Sequence, residues 1–258
     1  MSKRKKSHQS HGTANRPRLW GKHAVAAALD ERTALVSVMH GNPARKILRA
    51  WTTREAAGFM QFPKDVAVTL ADVSDLGRLV PNDAPHQGVV IEVEPLDDIW
   101  LDDILTETDE RAILLVLDQV TDPHNVGAIL RSAAAFGAIG IVTQDRHSPP
   151  ESGVIAKASS GALERVPWAR VVNLARALEE IGDAGFWRIG LAGDADTDLR
   201  EALGPQRVAL VLGAEGAGLR PNTREHCDSL ARLPITDAVE SLNVSNAAAV
   251  ALYAATIA

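Results

Sequence analysis

The chain has 258 residues, 46% of them hydrophobic and 23% charged, with a net charge of −6; this composition excludes wholesale disorder and leaves room for one large domain or two ordinary ones, each with a full core. A single cysteine, Cys227, excludes an intramolecular disulfide or a multi-cysteine metal site and fits a reducing cytosol. The longest apolar run, Ala247 to Ala258, is too short to span a bilayer, and the basic N-terminus leads into polar residues rather than an apolar signal segment, so a cytoplasmic protein is expected.

Charge is divided unevenly along the chain. Residues 1–18 contain Lys3, Arg4, Lys5, Lys6, Arg16 and Arg18 and no acid, so they carry +6 and the other 240 residues −12. We expect 1–18 to be a disordered basic arm. Such an arm suits a polyanion, because each Lys or Arg that meets a phosphate releases counterions; it suits equally a solvated tail that only aids solubility.

Residues 19–94 read as a small α/β unit. Lys22–Leu29 has an Ala-rich helical pattern and Ala34–Met39 is a short β-branched strand. Pro43, tolerated in a first turn, predicts a second helix through Ala57. Val66–Leu70 predicts a strand, Val73–Leu79 a short helix, and the alternation of Gly88–Val93 a final strand. Residues 95–110 are acidic, with a period only over Ile99–Leu105, and predict a linker with a turn or two of helix.

From residue 111 to 258 strands and helices alternate. Ile113–Leu117 is a continuous apolar run, as in a parallel sheet covered on both faces. A helix over Asn125–Phe136, a strand over Ile139–Val142 and a helix over Ser152–Ser159 are predicted next. They are followed by strand Ala169–Val172, helix Leu174–Ile181 and strands Trp187–Leu191 and Arg207–Leu212. A helix over Pro221–His226, a short strand over Leu230–Arg232 and a C-terminal helix complete an α/β domain with a mostly parallel sheet.

The chemistry is concentrated in four segments. Asp122-Pro123 opens the helix after the first apolar strand: a capping carboxylate, then a first-turn proline. Val126, Ile129, Leu130 and Ala133 share its core face, and Arg131, about 140° round from Val126 at about 100° per residue, points away from that core. Asn125 lies at the mouth of the same helix. An exposed helical arginine is the commoner meaning of such a residue; a phosphate or substrate contact is the functional one. The apolar run Val211-Leu212 enters Gly213-Ala214-Glu215-Gly216-Ala217-Gly218, a glycine loop with one carboxylate. Glycines let a ligand approach main-chain groups closely, and Glu215 is either a solvated loop acid or a placed acceptor. Leu233-Pro234-Ile235 forms a Pro-stiffened loop, and Ser241-Leu242-Asn243 precedes the last helix, where Ser and Asn serve as caps without excluding ligand contact.

In this order, with the Asn125–Arg131 offset of six and Ser241 twenty-six residues beyond Glu215, these segments resemble the signature motifs of the SpoU (TrmH-type) RNA 2′-O-ribose methyltransferases of the SPOUT class. The resemblance covers residues 112–258; Leu233-Pro234-Ile235 stands where Ile-Pro-Met is usual, and both are apolar. Gly21-Lys22-His23-Ala24-Val25 and His86-Gln87-Gly88 resemble the small RNA-binding domain of members that methylate a guanosine in 23S ribosomal RNA.

The resemblance implies a SPOUT-type fold with a C-terminal trefoil knot, and S-adenosyl-L-methionine held at Leu212, Gly213, Leu233, Ile235 and Leu242. It also implies a homodimer with the site near its interface, and a catalytic set of Asn125, Arg131, Glu215, Ser241 and Asn243. Other readings are a transfer-RNA guanosine-2′-O-methyltransferase and a non-catalytic RNA-binding ribosome-assembly factor. A nicotinamide-dependent oxidoreductase is disfavoured, since no Gly-x-Gly-x-x-Gly follows the first strand of the larger domain.

Overall fold

A computed structural model describes residues 16–30, 45–81, 84–106, 110–204, 207–236 and 238–258. The first unit is a four-stranded sheet built from β1 (Arg18–Trp20), β2 (Ile47–Thr52), β3 (Ala67–Leu70) and β4 (Val89–Val93) in the order β1-β4-β2-β3. β4 runs antiparallel to β1 and β2, and β3 lies parallel to β2. Helices α1 (Lys22–Leu29), α2 (Arg54–Ala57) and α3 (Val73–Gly77) connect the strands.

Two expectations for this unit require correction. The helix read over Pro43–Ala57 is instead β2 followed by the single turn of α2. Helix propensities differ by only tenths of a kcal/mol per residue, whereas pairing with strands on both sides buries Ala50 and Thr52 completely. The chain turns helical only at Arg54, where the Thr53 side chain accepts the Ala56 N–H. The arm drawn as residues 1–18 also loses its last three members. Arg18 begins β1, the Val93 N–H donates to the Pro17 carbonyl, and Arg16 and Arg18 both face the Glu92 carboxylate. The strand read over Ala34–Met39 lies outside the described residues.

The larger unit is a six-stranded sheet in the order β10-β8-β9-β5-β6-β7, every neighbouring pair parallel. Its strands are β5 (Ile113–Asp118), β6 (Gly140–Gln144), β7 (Trp168–Val171), β8 (Trp187–Leu191), β9 (Val208–Gly213) and β10 (Ser229–Ala231). The helices are α4 (Leu101–Leu105), α5 (Pro123–Ala135), α6 (Gly153–Ser159), α7 (Leu174–Asp183), α8 (Leu199–Ala202), α9 (Pro221–Glu225) and α10 (Val244–Ile257). The sequence carried no reading for the four-residue α8, too short to show a period.

The central strands explain their unbroken apolar runs. Leu115 and Leu117 of β5, with Leu210 and Leu212 of β9, face the layer containing α5, α6 and α10. Leu114 and Val116, with Ala209 and Val211, face the layer containing α4 and α7. Residues 99–105 of the acidic connection join this second layer, with Ile99, Leu101, Ile104 and Leu105 buried there.

The two units share one apolar core: Leu19, Val25, Val89 and Ile91 belong to the same cluster as Leu115, Ile129 and Leu252. At the seam the Gly153 backbone lies flat on Trp20; a Cβ there would sit 1.9 Å from the indole and 2.2 Å from the Arg18 carbonyl oxygen. Arg45 is buried at the same seam between Glu151 and Glu164, 2.9 Å from the latter. Gln87 closes it on another side, accepting from the Lys22 N–H and from the Lys157 ammonium. Among the described residues, no helix is long and apolar enough to cross a membrane.

Candidate active site

The site lies where β5 and β9 end, at the carboxyl edge of a parallel sheet, the usual place for ligands in open α/β folds. α5 starts as its sequence requires. Asp122 accepts the His124 N–H at 2.9 Å, Pro123 occupies the first turn, and Val126, Ile129, Leu130 and Ala133 are fully buried. That burial aims Asn125 along the mouth of the helix towards the loop leaving β9.

This loop is folded tightly on itself. Gly213 pairs with Asp118, and its α-carbon passes so close to Gly218 that a Cβ would lie 2.1 Å from the Gly218 carbonyl carbon. Only glycine fits. The Gly218 N–H donates to the Ala214 carbonyl at 2.9 Å, so Glu215 is held at the tip. From the other side, Asn243 caps α10: its Oδ1 accepts the Ser245 N–H at 2.9 Å and the Asn246 N–H at 3.4 Å.

The three segments meet in one hydrogen-bonded cluster. The Asn125 amide donates to Glu215 Oε1 at 3.0 Å, and the Asn243 amide donates to Asn125 Oδ1 at 3.0 Å and also to Glu215 Oε1. The Val244 N–H reaches Glu215 Oε1 at 3.4 Å. Residues separated by up to 118 positions are joined by side chains that orient one carboxylate without neutralising it. Such an acceptor can fix a substrate hydroxyl or an arginine guanidinium.

The cluster leaves out two of the five expected catalytic residues. Arg131 is exposed on α5, about 9 Å along the helix axis from Asn125 at about 1.5 Å per residue and rotated off its face. Ser241 is exposed before α10. Among the described residues neither makes a hydrogen bond or ion pair with Asn125, Glu215 or Asn243.

The positions expected to hold a cofactor lie at the end of β9, in the segment after β10 and just before α10. Leu212 is buried at the end of β9, Leu233 packs half-buried against the same core, and Leu242 is half-buried just before Asn243. Ile235 is 41% exposed, an apolar side chain available to a ligand rather than spent on the core. Cys227 is no nucleophile: burial pushes its thiol up to about 12, so it stays protonated at neutral pH.

Sequence reasoning missed three polar residues beneath the site. Asp118, wholly buried, accepts from Arg220 Nε at 2.7 Å and from the Arg220 N–H at 3.1 Å, while Arg220 Nη2 donates to Gln144 at 3.0 Å. A carboxylate closing a buried strand must find a cation, and that signal was present in Leu117-Asp118. Its partner, 102 residues away, was not visible without the fold.

The profile of the SpoU rRNA methylase family matches residues 112–253, which include all three members of the cluster. The chain is 38% identical to the 23S rRNA (guanosine-2′-O-)-methyltransferase RlmB of Salmonella typhimurium, over 92% of this chain and 96% of that one. It is 37% identical to an uncharacterized tRNA/rRNA methyltransferase of Synechocystis sp., over 91% of this chain but only 61% of that longer protein. Among solved structures it resembles the SpoU methyltransferase AviRb of Streptomyces viridochromogenes in complex with AdoMet. There the TM-score is 0.70 and the identity 27%, covering 93% of this chain and 89% of that one. With the motif-bearing loops converging on one carboxylate and the profile spanning the whole larger sheet, the chain belongs to the SpoU rRNA methylase family.

Proposed function

We propose that this protein transfers a methyl group from S-adenosyl-L-methionine to the ribose 2′-hydroxyl of a guanosine in 23S ribosomal RNA. The observation that carries the reading is the Asn125–Glu215–Asn243 cluster at the carboxyl edge of the sheet, in a chain 38% identical to an RlmB along nearly its whole length. The AviRb complex supports the choice of donor.

Leu212, Gly213, Leu233, Ile235 and Leu242 would hold the donor through main-chain groups and apolar side chains; the bound donor supplies an electrophilic methyl group. The protein's task is to align the 2′-oxygen and to favour loss of its proton, and alignment alone is worth several kcal/mol. A guanidinium, which keeps its proton throughout the physiological range, is a poor base. Arg131 therefore grips the nucleotide's phosphate and stabilises developing negative charge on the oxygen. Asn125 and Glu215 orient the nucleotide, while Ser241 and Asn243 position the ribose.

In this reading Arg131 comes from a second protomer, because within one chain it is exposed on α5 and rotated off the face of Asn125, the residue bonded to Glu215. On α10, Val250, Tyr253 and Ile257 lie on one face and are 47%, 55% and 63% exposed, and the Tyr253 ring stands 6.1 Å from Phe136 at the end of α5. This stripe beside the Arg131 helix fits a homodimer interface that brings Arg131 of one protomer to Glu215 of the other. The C-terminal segment in such a subunit forms the trefoil knot of the class. The unit from β1 to β4 binds RNA with the basic arm, in the cytoplasm.

Mixing two inactive variants tests the shared site. Arg131→Ala and Glu215→Ala homodimers, unfolded and refolded together, should regain about a quarter of wild-type activity, because half the dimers are hybrid and each has one intact site. If each chain supplied its own arginine, the mixture would remain inactive.

A further inference from the structure

The buried Asp118 side chain serves neither helix capping nor the active-site cluster. Asp122 caps α5, and Asn125 with Asn243 satisfies Glu215. Asp118 is spent wholly on Arg220, the residue that ends the glycine loop and precedes α9. A buried carboxylate is tolerated only when paired and hydrogen-bonded. Here it is served by both the side chain and the main-chain N–H of one residue.

The guanidinium ties two strand ends together directly and a third through Gln144. Nε binds Asp118 at the end of β5, and Nη2 binds Gln144 at the end of β6. Gln144 in turn donates to the Val172 carbonyl just beyond β7. Asp118 is also the register partner of Gly213, where the loop leaves β9. The segment Gly213–Arg220 is thus fixed at its entry by the Gly213–Gly218 backbone contact and at its exit by this fork, with Leu219 buried between.

We propose that Arg220, held by Asp118 and Gln144, is a positioning residue that sets the shape of the Gly213–Gly218 loop for the methyl donor. The assignment rests on the reading of that loop as the donor site. A planar fork serves a carboxylate and an amide in fixed directions at once; a lysine ammonium supplies charge without that geometry.

Calorimetric titration of the full-length protein with S-adenosyl-L-methionine tests the assignment. Arg220→Lys should weaken binding by about tenfold or more. Gln144→Met, which leaves the Asp118 pair intact, should weaken it a few-fold. In methylation assays KM for the donor should rise more than kcat falls. A merely structural role would lower the melting temperature of Arg220→Lys and leave the donor Kd of the folded protein unchanged. A donor Kd within twofold of wild type in folded Arg220→Lys overturns the proposal. Should that variant fail to fold, an unchanged Kd in Gln144→Met overturns it. A wild-type chain that gives no saturable heat overturns the donor-site reading, and this assignment with it; a normal wild-type isotherm beside unaltered variants overturns the assignment alone.

Discussion

Glu215→Ala is expected to lower kcat/KM for RNA methylation by about 10²–10³-fold, the loss typical when one placed polar group is removed from a reacting centre. It should barely move the melting temperature. The reason is the cluster's construction: Asn125, Asn243 and the Val244 N–H come from two distant segments and share one acceptor, Glu215 Oε1. Without it the two asparagine amides lose their common reference, yet Asn125 is half-buried and Asn243 exposed, so water replaces the acceptor on both at little cost.

Glu215→Gln should fall between wild type and alanine, since its amide keeps one acceptor but can turn a donor against the two asparagines. Asn243 is less clean to interpret, because alanine there also removes the α10 cap, worth about 1 kcal/mol. Steady-state kinetics beside a melting curve separate the effects. Near-native turnover in folded Glu215→Ala would remove the carboxylate from the mechanism.

The second large effect is structural. Gly153→Val should destabilise the fold by about 3 kcal/mol or more, the upper range for forced overpacking, because the obstacles include the Arg18 backbone as well as the Trp20 ring. Neither can move without parting β1 from α6. The Arg45 ion pairs with Glu151 and Glu164 lie on the same seam and would be pulled open, exposing groups that tolerate burial only together. Thermal unfolding should show a markedly lower midpoint or an early transition for the small unit, and the KM for RNA should rise. A midpoint within two degrees of wild type would show that the seam yields easily and that the units are not one packed body.

How much of this was legible beforehand follows from what each signal depends on. The run Ile113–Leu117 is almost wholly buried between two parallel neighbours, so its apolar continuity alone marked a strand of a covered parallel sheet, and Arg207–Leu212 was legible as a strand. The core face of α5 was equally readable, because Val126, Ile129, Leu130 and Ala133 repeat at the helical period. The stretch before Ala57 misled, because its composition permits a helix and only pairing with β3 and β4 makes it a strand. Asn125, Glu215 and Asn243 were legible as motif positions, but their mutual hydrogen bonds depend on loop closure around Gly213. The Asp118–Arg220–Gln144 fork and the seam at Gly153 join residues far apart in sequence, and no local pattern encodes such pairs.

The methyl-transfer reaction is tested by a site-by-site map of ribose 2′-O-methylation across 23S ribosomal and transfer RNA, with the gene deleted and then restored. One guanosine of 23S RNA should lose its 2′-O-methyl group and regain it with the wild-type protein but not with Glu215→Ala. An unchanged 23S map, or a lost mark confined to transfer RNA, would contradict the proposed reaction.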